Sequence, residues 1–549
     1  MIPERIVGYI EQSIRKNWEI EALSNYREKG YSYMEIAEKI LKLHLLFRES
    51  DIREGDKIAL VGRNSANWCV TYLATITYGA VIVPILPDFK PEDLTSIIIH
   101  SDSKLLFVDD KIYESLDITR MPDIAGVFSL DDFRFIRAVS IKIKDFFPTL
   151  EQTFSKLYPS LKQEDVRFSS ITNDKPAVIS YTSGTTGFSK GVVLSHNSLA
   201  ANIRFARNNM PIEPGDPIVS FLPLAHTYGC AFEFLFPFTI GCHITILTKT
   251  PSPQIVVQAF KEIRPTLILS VPLVIEKIFK KQLLPVINKP AMSIMLKIPL
   301  LNKILYGKIR GKLEETFGGR FHEIVIGGAA FNADAENFFN KLGFRFTVGY
   351  GMTECGPLIS YTSWKTTRLK ASGKAIDTLE VRIDSPDPEN IVGEIILRGE
   401  NVMLGYYKNE KATQEIIDKD GWLHTGDLGI IDKEGNIFIK GRSKAMLLGP
   451  SGKNIYPEEI EAVINNKDYV VESVVIQEKD KLVALVYPDF EMMKQNNITE
   501  DQLQSILETY KKEVNERLPD FMNVSKFRIH HEEFVKTPKR SIKRFLYTK

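Results

Sequence analysis

Tyr181-Thr182-Ser183-Gly184-Thr185-Thr186-Gly187-Phe188-Ser189-Lys190-Gly191-Val192-Val193-Leu194-Ser195 sets a turn of hydroxyls and glycines between two apolar runs. Ala177 to Ser180 before it reads as a buried strand and Val192 to Leu194 after it as another, so the pattern predicts strand, loop, strand. Gly184 and Gly187 let backbone N–H groups turn toward an anion with no Cβ in the way. Ser183, Thr185 and Thr186 add donors and Lys190 adds charge, which together make a phosphate grip. A P-loop would need G-x-x-x-x-G-K-[ST] opening a helix. The glycine-to-lysine spacing and the β-type segment that follows both exclude it.

Around this stretch the chain alternates. Ser32-Tyr33-Met34-Glu35 is a capping box, and Ile36, Ile40, Leu43 and Phe47 follow at helical spacing. Ile58–Val61 (strand), Asn67–Tyr78 (helix), Val81–Pro84 (strand), Pro91–His100 (helix) and Leu105–Val108 (strand) then read as βαβ wiring. Strands this apolar predict a mostly parallel sheet covered on both faces, with a ligand crevice at the carboxyl ends of its strands. Arg134 to Ser170 turns polar and irregular, and reads as a connection between subdomains. With 549 residues the chain exceeds one core and predicts at least two domains. Its charge is balanced, 70 basic against 69 acidic residues, so nothing global points to nucleic acid. Cys69, Cys230, Cys242 and Cys355 lie far apart, which suits reduced thiols and offers no zinc site. Without a signal-peptide core or a membrane-spanning run, a cytoplasmic location is expected.

Further along, Ile218–Leu222 reads as a strand and Pro223-Leu224-Ala225-His226-Thr227-Tyr228-Gly229 as its loop. Ala231 to Ile240, rich in Phe, either lines a pocket or packs the core. From Lys277 to Lys312 the chain carries Lys277, Lys280, Lys281, Lys289, Lys297, Lys303, Lys308, Arg310 and Lys312 without one Asp or Glu. That run is either a solvated helical face or a patch for peripheral contact with anionic lipid. Ile324–Ile326 leads into Gly327-Gly328-Ala329-Ala330, and Phe344–Val348 into Gly349-Tyr350-Gly351-Met352-Thr353-Glu354-Cys355-Gly356. Such turns let a flat base lie on backbone with a Tyr able to stack beside it, while Thr353 has a hydroxyl that can donate to a phosphate and Glu354 a carboxylate that can hold Mg²⁺ or sit solvated in a loop. Asn401–Tyr407 precedes Gly421-Trp422-Leu423-His424-Thr425-Gly426-Asp427, and Ile437–Lys440 reads as a strand before Gly441-Arg442-Ser443-Lys444. Beyond lies a small α+β segment, in which Pro457 sits at a helix start and the following glutamates complement its positive end.

Taken in this order, the motifs from about Tyr33 to the end resemble the adenylate-forming superfamily, which includes acyl-CoA synthetases, peptide-synthetase adenylation domains and luciferases. Pro223 to His226 and the closing Pro-x-x-x-x-Lys-Arg pattern are most similar to long-chain fatty acid-CoA ligases. The resemblance implies an α/β fold: a large N-terminal domain, 1–440, of mostly parallel βαβ sheets with a further β subdomain, and a small mobile α+β C-terminal domain, 441–549. It implies ATP-dependent activation of a medium- to long-chain fatty acid to an acyl-adenylate, then transfer to coenzyme A with release of AMP and pyrophosphate. The alternatives are an acyl-AMP ligase or carrier-protein-loading enzyme, and a silent nucleotide-binding scaffold; retention of Lys190, Glu354 and Asp427 speaks against the last.

On this resemblance Thr182, Ser183, Gly184, Thr185, Thr186, Gly187 and Lys190 hold phosphates, and Gly328, Ala329, Tyr350 and Gly351 face adenine. Thr353 meets the α-phosphate and Glu354 the Mg²⁺. Asp427, Ile439 and Arg442 serve the nucleoside, with Asp427 on the ribose hydroxyls. His226 and Gly349 lie beside the acyl group, Gly452 lines the pantetheine tunnel, and Lys453 meets a CoA phosphate. Lys444 is the hinge and Lys543 the catalytic lysine, with Lys539 in reserve because the usual glycine before the lysine is missing. Leu273 stands where the family has an Arg after Val-Pro, and Glu233 is the nearest thing to the acid that a peptide-synthetase domain would need.

Overall fold

The computed structural model describes residues 1–182, 190–249, 252–279, 287, 289–296, 298, 301–448, 454–479, 481–537 and 542–548. Its framework is two large sheets. One has eight strands, in the spatial order Gly405–Tyr406, Lys190–Ser195, Pro176–Thr182, Val81–Ile85, Lys57–Val61, Ser103–Val108, Gly126–Ser129 and Phe135–Ala138. The five strands from Pro176–Thr182 to Gly126–Ser129 run parallel, and antiparallel strands flank them on either side. The other has seven strands, ordered Phe346–Val348, Glu323–Ile326, Leu267–Ser270, Pro217–Ser220, His243–Ile246, Glu21–Asn25 and Tyr31–Ser32, parallel but for the last. Strands buried on both faces need continuous apolar runs, which is why Lys57–Val61 and Val81–Ile85 read as they do.

The capping box forms: the Glu35 N–H donates to Ser32 Oγ at 3.2 Å and the Ser32 N–H to Glu35 Oε2 at 2.7 Å, opening the helix Tyr33–Glu49. The helices Ala66–Tyr78 and Pro91–His100 follow their strands as expected. Arg134 to Ser170 is more than a connection. Phe135–Ala138 extends the first sheet antiparallel to Gly126–Ser129, and Leu150–Leu157 is a helix whose Phe154 packs on Leu41 and Leu45. One apolar residue per turn is enough to dock a short helix, yet too few to stand out in a polar stretch.

The segment Cys230–Leu235 is a π-helix that runs into the helix Phe236–Ile240, and Phe232, Phe234, Phe236 and Phe238 are all fully buried. A helix this rich in apolar side chains belongs inside, and each such ring contributes about 2–3 kcal/mol relative to exposure. Beyond these layers stands an antiparallel four-stranded sheet, Leu379–Asp384, Gly393–Gly399, Leu423–Ile431 and Ile437–Arg442. The C-terminal part has its own core around Ile460, Val475, Leu507 and Phe527, with the sheet Val470–Glu478, Lys481–Pro488 and Val524–Ile529 covered by the helices Pro457–Ile464 and Glu500–Arg517. The fold is thus mixed α/β with parallel-rich sheets and a C-terminal α+β domain.

His44 is buried among Phe47, Tyr78 and Phe168, with Nε2 3.0 Å from the Ala74 carbonyl oxygen. Burial drops its pKa to about 4. The unfolded imidazole binds a proton near pH 6.5 and the folded one does not, so stability tied to His44 is complete above pH 6.5 and lost as pH falls toward 4. Urea titrations of the wild type and His44→Phe should show the variant losing about 2 kcal/mol less than the wild type between pH 7 and pH 5. Equal losses would contradict this assignment.

Candidate active site

Thr182 ends the strand Pro176–Thr182, Gly327 follows Glu323–Ile326 and Gly349 follows Phe346–Val348, so these three expected segments leave the carboxyl ends of strands. Pro176–Thr182 and Lys190–Ser195 form a hairpin whose outermost pair is Thr182 with Lys190, and Thr182 Oγ1 donates to the Lys190 carbonyl at 3.5 Å. Ser183, Gly184, Thr185, Thr186 and Gly187 lie outside the described residues. The Lys190 ammonium sits 4.7 Å from the centre of the Tyr406 ring, and Tyr406 Oη donates to Glu354 Oε1 at 2.8 Å. One tyrosine therefore joins the lysine of the grip to the carboxylate expected to hold metal. Burial, and then the Glu354 charge, push the Tyr406 phenol far above its ordinary range, so it stays a donor. Sequence reading passed over Tyr406, although it stood in Asn401–Tyr407; its signal is the strand Gly405–Tyr406, which pairs with Val192 and Val193 beside the grip.

The segment from Tyr350 to Glu354 carries a second junction. Tyr350 Oη donates to Asp427 Oδ2 at 2.7 Å, and Arg442 Nε lies 3.1 Å from Asp427 Oδ1. Asp427 and Arg442 are register partners across two strands; the carboxylate is buried and the guanidinium largely exposed. Burial, reinforced by Asp427, holds the Tyr350 phenol well above its usual range. The Gly349 N–H donates to the Ile326 carbonyl at 2.9 Å and so stitches this turn to Gly327–Ala330, where Gly328 (φ 88°) and Ala329 are exposed. At Gly351 a Cβ would stand 2.4 Å from the Pro357 oxygen, so only glycine lets these backbones approach. Thr353 is nearly buried in a short turn. Asn202, on the helix His196–Asn209 that follows the grip, donates to the Cys355 carbonyl at 3.0 Å and accepts the Leu358 N–H at 2.9 Å. Ile439 is partly exposed on the strand Ile437–Arg442, and Lys444 is exposed in the turn Ser443–Ala445.

The His226 loop is held from both sides. Asn64 Nδ2 donates to the Leu222 carbonyl at 2.7 Å, and its Oδ1 accepts the Leu224 N–H at 2.9 Å. Glu233 Oε2 accepts from Ser220 Oγ at 3.2 Å and from the Phe221 and Leu222 N–H groups at 2.9 Å each. Burial pushes the Glu233 carboxyl well above the usual range. It is engaged with the backbone, so it is not an acid poised for a substrate amine. Tyr228 Oη donates to the Val325 carbonyl at 3.0 Å, which ties this loop to the glycine turn. Ala231 to Ile240 plays both expected parts: Ala231 and Leu235 line an apolar cavity and the phenylalanines fill the core.

In the C-terminal domain the Lys543 N–H donates to the Val535 carbonyl at 2.9 Å, and the Arg544 guanidinium grips Glu461 with two bonds. Among the described residues no hydrogen bond or ion pair links the Lys543 side chain to Asp427 or Glu354. Gly452, Lys453 and Lys539 lie outside the described residues. Asp334 meets Asn466 at 3.1 Å and Arg517 at 3.5 Å, and Lys440 meets Glu459 at 3.7 Å, contacts that hold the C-terminal domain against the rest. No helix among the described residues is long and apolar enough to cross a membrane.

The fold is that of the adenylate-forming enzymes: ATP-bound MatB from Rhodopseudomonas palustris superposes with a TM-score of 0.76 at 22% identity, covering 99% of this chain and 98% of that one. Residues 10–407 match the model of the AMP-binding enzymes and residues 445–549 that of the AMP-binding enzyme C-terminal domain, and the chain belongs to this family. The probable acyl-activating enzyme 16 (chloroplastic) of Arabidopsis thaliana is 29% identical, over 84% of this chain and 73% of its own length. The long-chain-fatty-acid–CoA ligase FadD15 of Mycobacterium bovis is 26% identical, over 90% and 86%. The chain thus resembles long-chain fatty acid-CoA ligases.

Truncating Glu233 tests the loop anchor. Glu233→Ala leaves a hydroxyl and two N–H groups buried without an acceptor, at a cost of about 2–4 kcal/mol. Glu233→Gln keeps an acceptor and should keep most of the stability. Urea midpoints check both, and an unchanged midpoint for Glu233→Ala would refute the anchor.

Proposed function

We propose that this protein activates a fatty acid of medium to long chain with ATP and passes the acyl group to coenzyme A. The observation that carries the reading is the double junction on the segment Tyr350–Glu354: Tyr350 is bonded to Asp427, and Glu354 is bonded through Tyr406 to the Lys190 side. It supports a nucleotide laid across the turns, with adenine against Gly328, Ala329, Tyr350 and Gly351, ribose on Asp427 near Ile439 and Arg442, and phosphates on Thr182 to Gly187, Lys190 and Thr353.

Mg²⁺ fits Glu354. Its oxygen is a hard ligand, and among the described residues no cluster of three or more His, Cys, Asp or Glu competes as a protein cage. Magnesium of this kind is held by one or two carboxylates plus substrate phosphates, and when bound it neutralises charge on them. Lys190 and the grip's backbone donors offset the negative charge that keeps a carboxylate from a phosphate. A carboxylate oxygen then attacks the α-phosphorus, the bond to the bridging oxygen breaks, and pyrophosphate leaves with the electron pair. Lys543 approaches the carboxylate in this step, and domain rotation about Lys444, between 1–440 and 441–549, withdraws it. The loop with Gly452 and Lys453 then admits the thiol, which adds to the acyl carbonyl beside His226 and Gly349, and AMP departs with its phosphate oxygen.

The apolar side chains around the His226 loop, Leu224, Ala225, Ala231 and Leu235, favour an alkyl tail, and the Glu233 anchor weighs against an amino acid substrate. The four buried free cysteines suit a reducing cytoplasm. On the helix Leu301–Thr316, exposed Lys303, Ile304, Lys308, Arg310 and Lys312 support peripheral contact with anionic lipid; the rest of the basic run is only partly described.

The test is pyrophosphate release from ATP and Mg²⁺ across short, aromatic and long saturated acids, with and without CoA. Release with fatty acids, speeded by CoA with thioester formed, is expected. Release indifferent to CoA would instead indicate carrier-protein loading, and none with any acid would refute the reading. Lys543→Ala should slow adenylation about a hundredfold or more while thioester formation from supplied acyl-adenylate continues.

A further inference from the structure

Glu354 is held by the stretch around Gly405–Tyr406 through both its backbone and its side chain. Its carbonyl accepts the Met403 N–H at 2.8 Å, and its Oε1 accepts the Tyr406 hydroxyl at 2.8 Å. Among the described residues its Oε2 makes no hydrogen bond or ion pair. The carboxylate is thus engaged on one oxygen and open on the other. A glutamate without such a partner samples several rotamers, and the tyrosine removes that freedom.

Tyr406 is itself fixed by backbone groups. The Leu404 N–H donates to the Val193 carbonyl at 2.8 Å and the Tyr407 N–H to the Gly191 carbonyl at 2.7 Å, which lock the stretch onto the strand that leaves the grip. The Tyr406 N–H donates to Thr413 Oγ1 at 2.8 Å. None of these bonds uses the phenol, so its hydroxyl has one partner, the Glu354 carboxylate. The Lys190 ammonium rests 4.7 Å from the centre of the same ring. A cation–π contact is weaker than a charge-assisted bond to phosphate, so Lys190 can leave the ring for a phosphate while the hydroxyl stays on Glu354. Resting on the activity proposed above, we propose that Tyr406 is a positioning residue: its hydroxyl holds Glu354 by Oε1 so that Oε2 is presented to Mg²⁺, and so sets how much the metal adds to ATP binding.

The experiment measures the Kd of ATP by titration calorimetry with no acid present, once in Mg²⁺ and once in EDTA, so that turnover plays no part. The ratio of the two constants is the metal gain. The wild type is expected to bind ATP more tightly in Mg²⁺. Tyr406→Phe keeps the ring beside Lys190 and should lose about tenfold of the gain, with Kd in EDTA within about twofold of the wild type. Should it not fold, Tyr406→Leu, which also lacks the hydroxyl, carries the same expectation for the gain. Tyr407→Phe is the matched control, because Tyr407 Oη donates to Asp102 Oδ2 at 2.7 Å on the neighbouring position of the chain; it should keep the gain. In a Glu354→Gln background, adding Tyr406→Phe should change the gain no further. A gain that survives in Tyr406→Phe, that falls equally in Tyr407→Phe, or that falls again in the Glu354→Gln background overturns the positioning role alone. A wild type that binds ATP equally well with and without Mg²⁺ overturns the roles of Glu354 and Tyr406 together. One that binds no ATP in either condition overturns the proposed activity as well.

Discussion

Asp427 is the carboxylate on which the arrangement of the site depends. It is buried, and it is stabilised by the Tyr350 hydroxyl on one oxygen and the Arg442 guanidinium on the other. Those two partners come from different sheets: Tyr350 lies on the first strand of the three-stranded sheet Tyr350–Gly351, Leu358–Tyr361 and Lys374–Ala375, and Arg442 ends the four-stranded one. A buried charge without partners is costly, so the carboxylate fixes the separation of the two sheets as firmly as it is itself held. Arg442 also immediately precedes the exposed turn with Lys444. The Tyr350–Asp427 junction and the approach to the C-terminal domain therefore share one electrostatic anchor.

Around that anchor, polar side chains fasten loops that no secondary structure could fix. Asn202 takes both a carbonyl and an N–H from the segment after Glu354, Ser198 Oγ donates to the Asn401 carbonyl, and Asn64 and Glu233 bracket the loop before His226. Each satisfies backbone groups that the chain leaves unpaired where it turns away from a strand. Tyr406 acts in the same way between side chains, donating to Glu354 while its ring lies under Lys190. The loops are where chemistry is expected, and their positions are set by neighbours distant in the chain.

Much of the architecture was legible because local patterns sufficed. Apolar runs between Lys57 and Val108 gave strands and helices close to those observed, Ser32 and Glu35 announced a helix that forms, and Pro457 opens another. Arg134 to Ser170 was misjudged because its strand is partly buried at a sheet edge and its helices contribute few core residues, leaving little periodicity to see. Of the candidate site, motif order singled out Tyr350, Glu354 and Asp427, and the structure brings Tyr350 to Asp427. Tyr406 was not singled out, since its role depends on a partner 52 residues away. Glu233 looked available in the sequence and proved to be tied to Phe221 and Leu222.

By itself the sequence determined the alternation of strands and helices, the parallel sheets and the family, because hydrophobic period and the order of glycine-rich turns are local properties of the chain. Only the tertiary structure decided which side chains share a hydrogen bond, and which carboxylates are free and which are committed to backbone. Those depend on distances between residues far apart in sequence, and such distances are set when the sheets pack against one another.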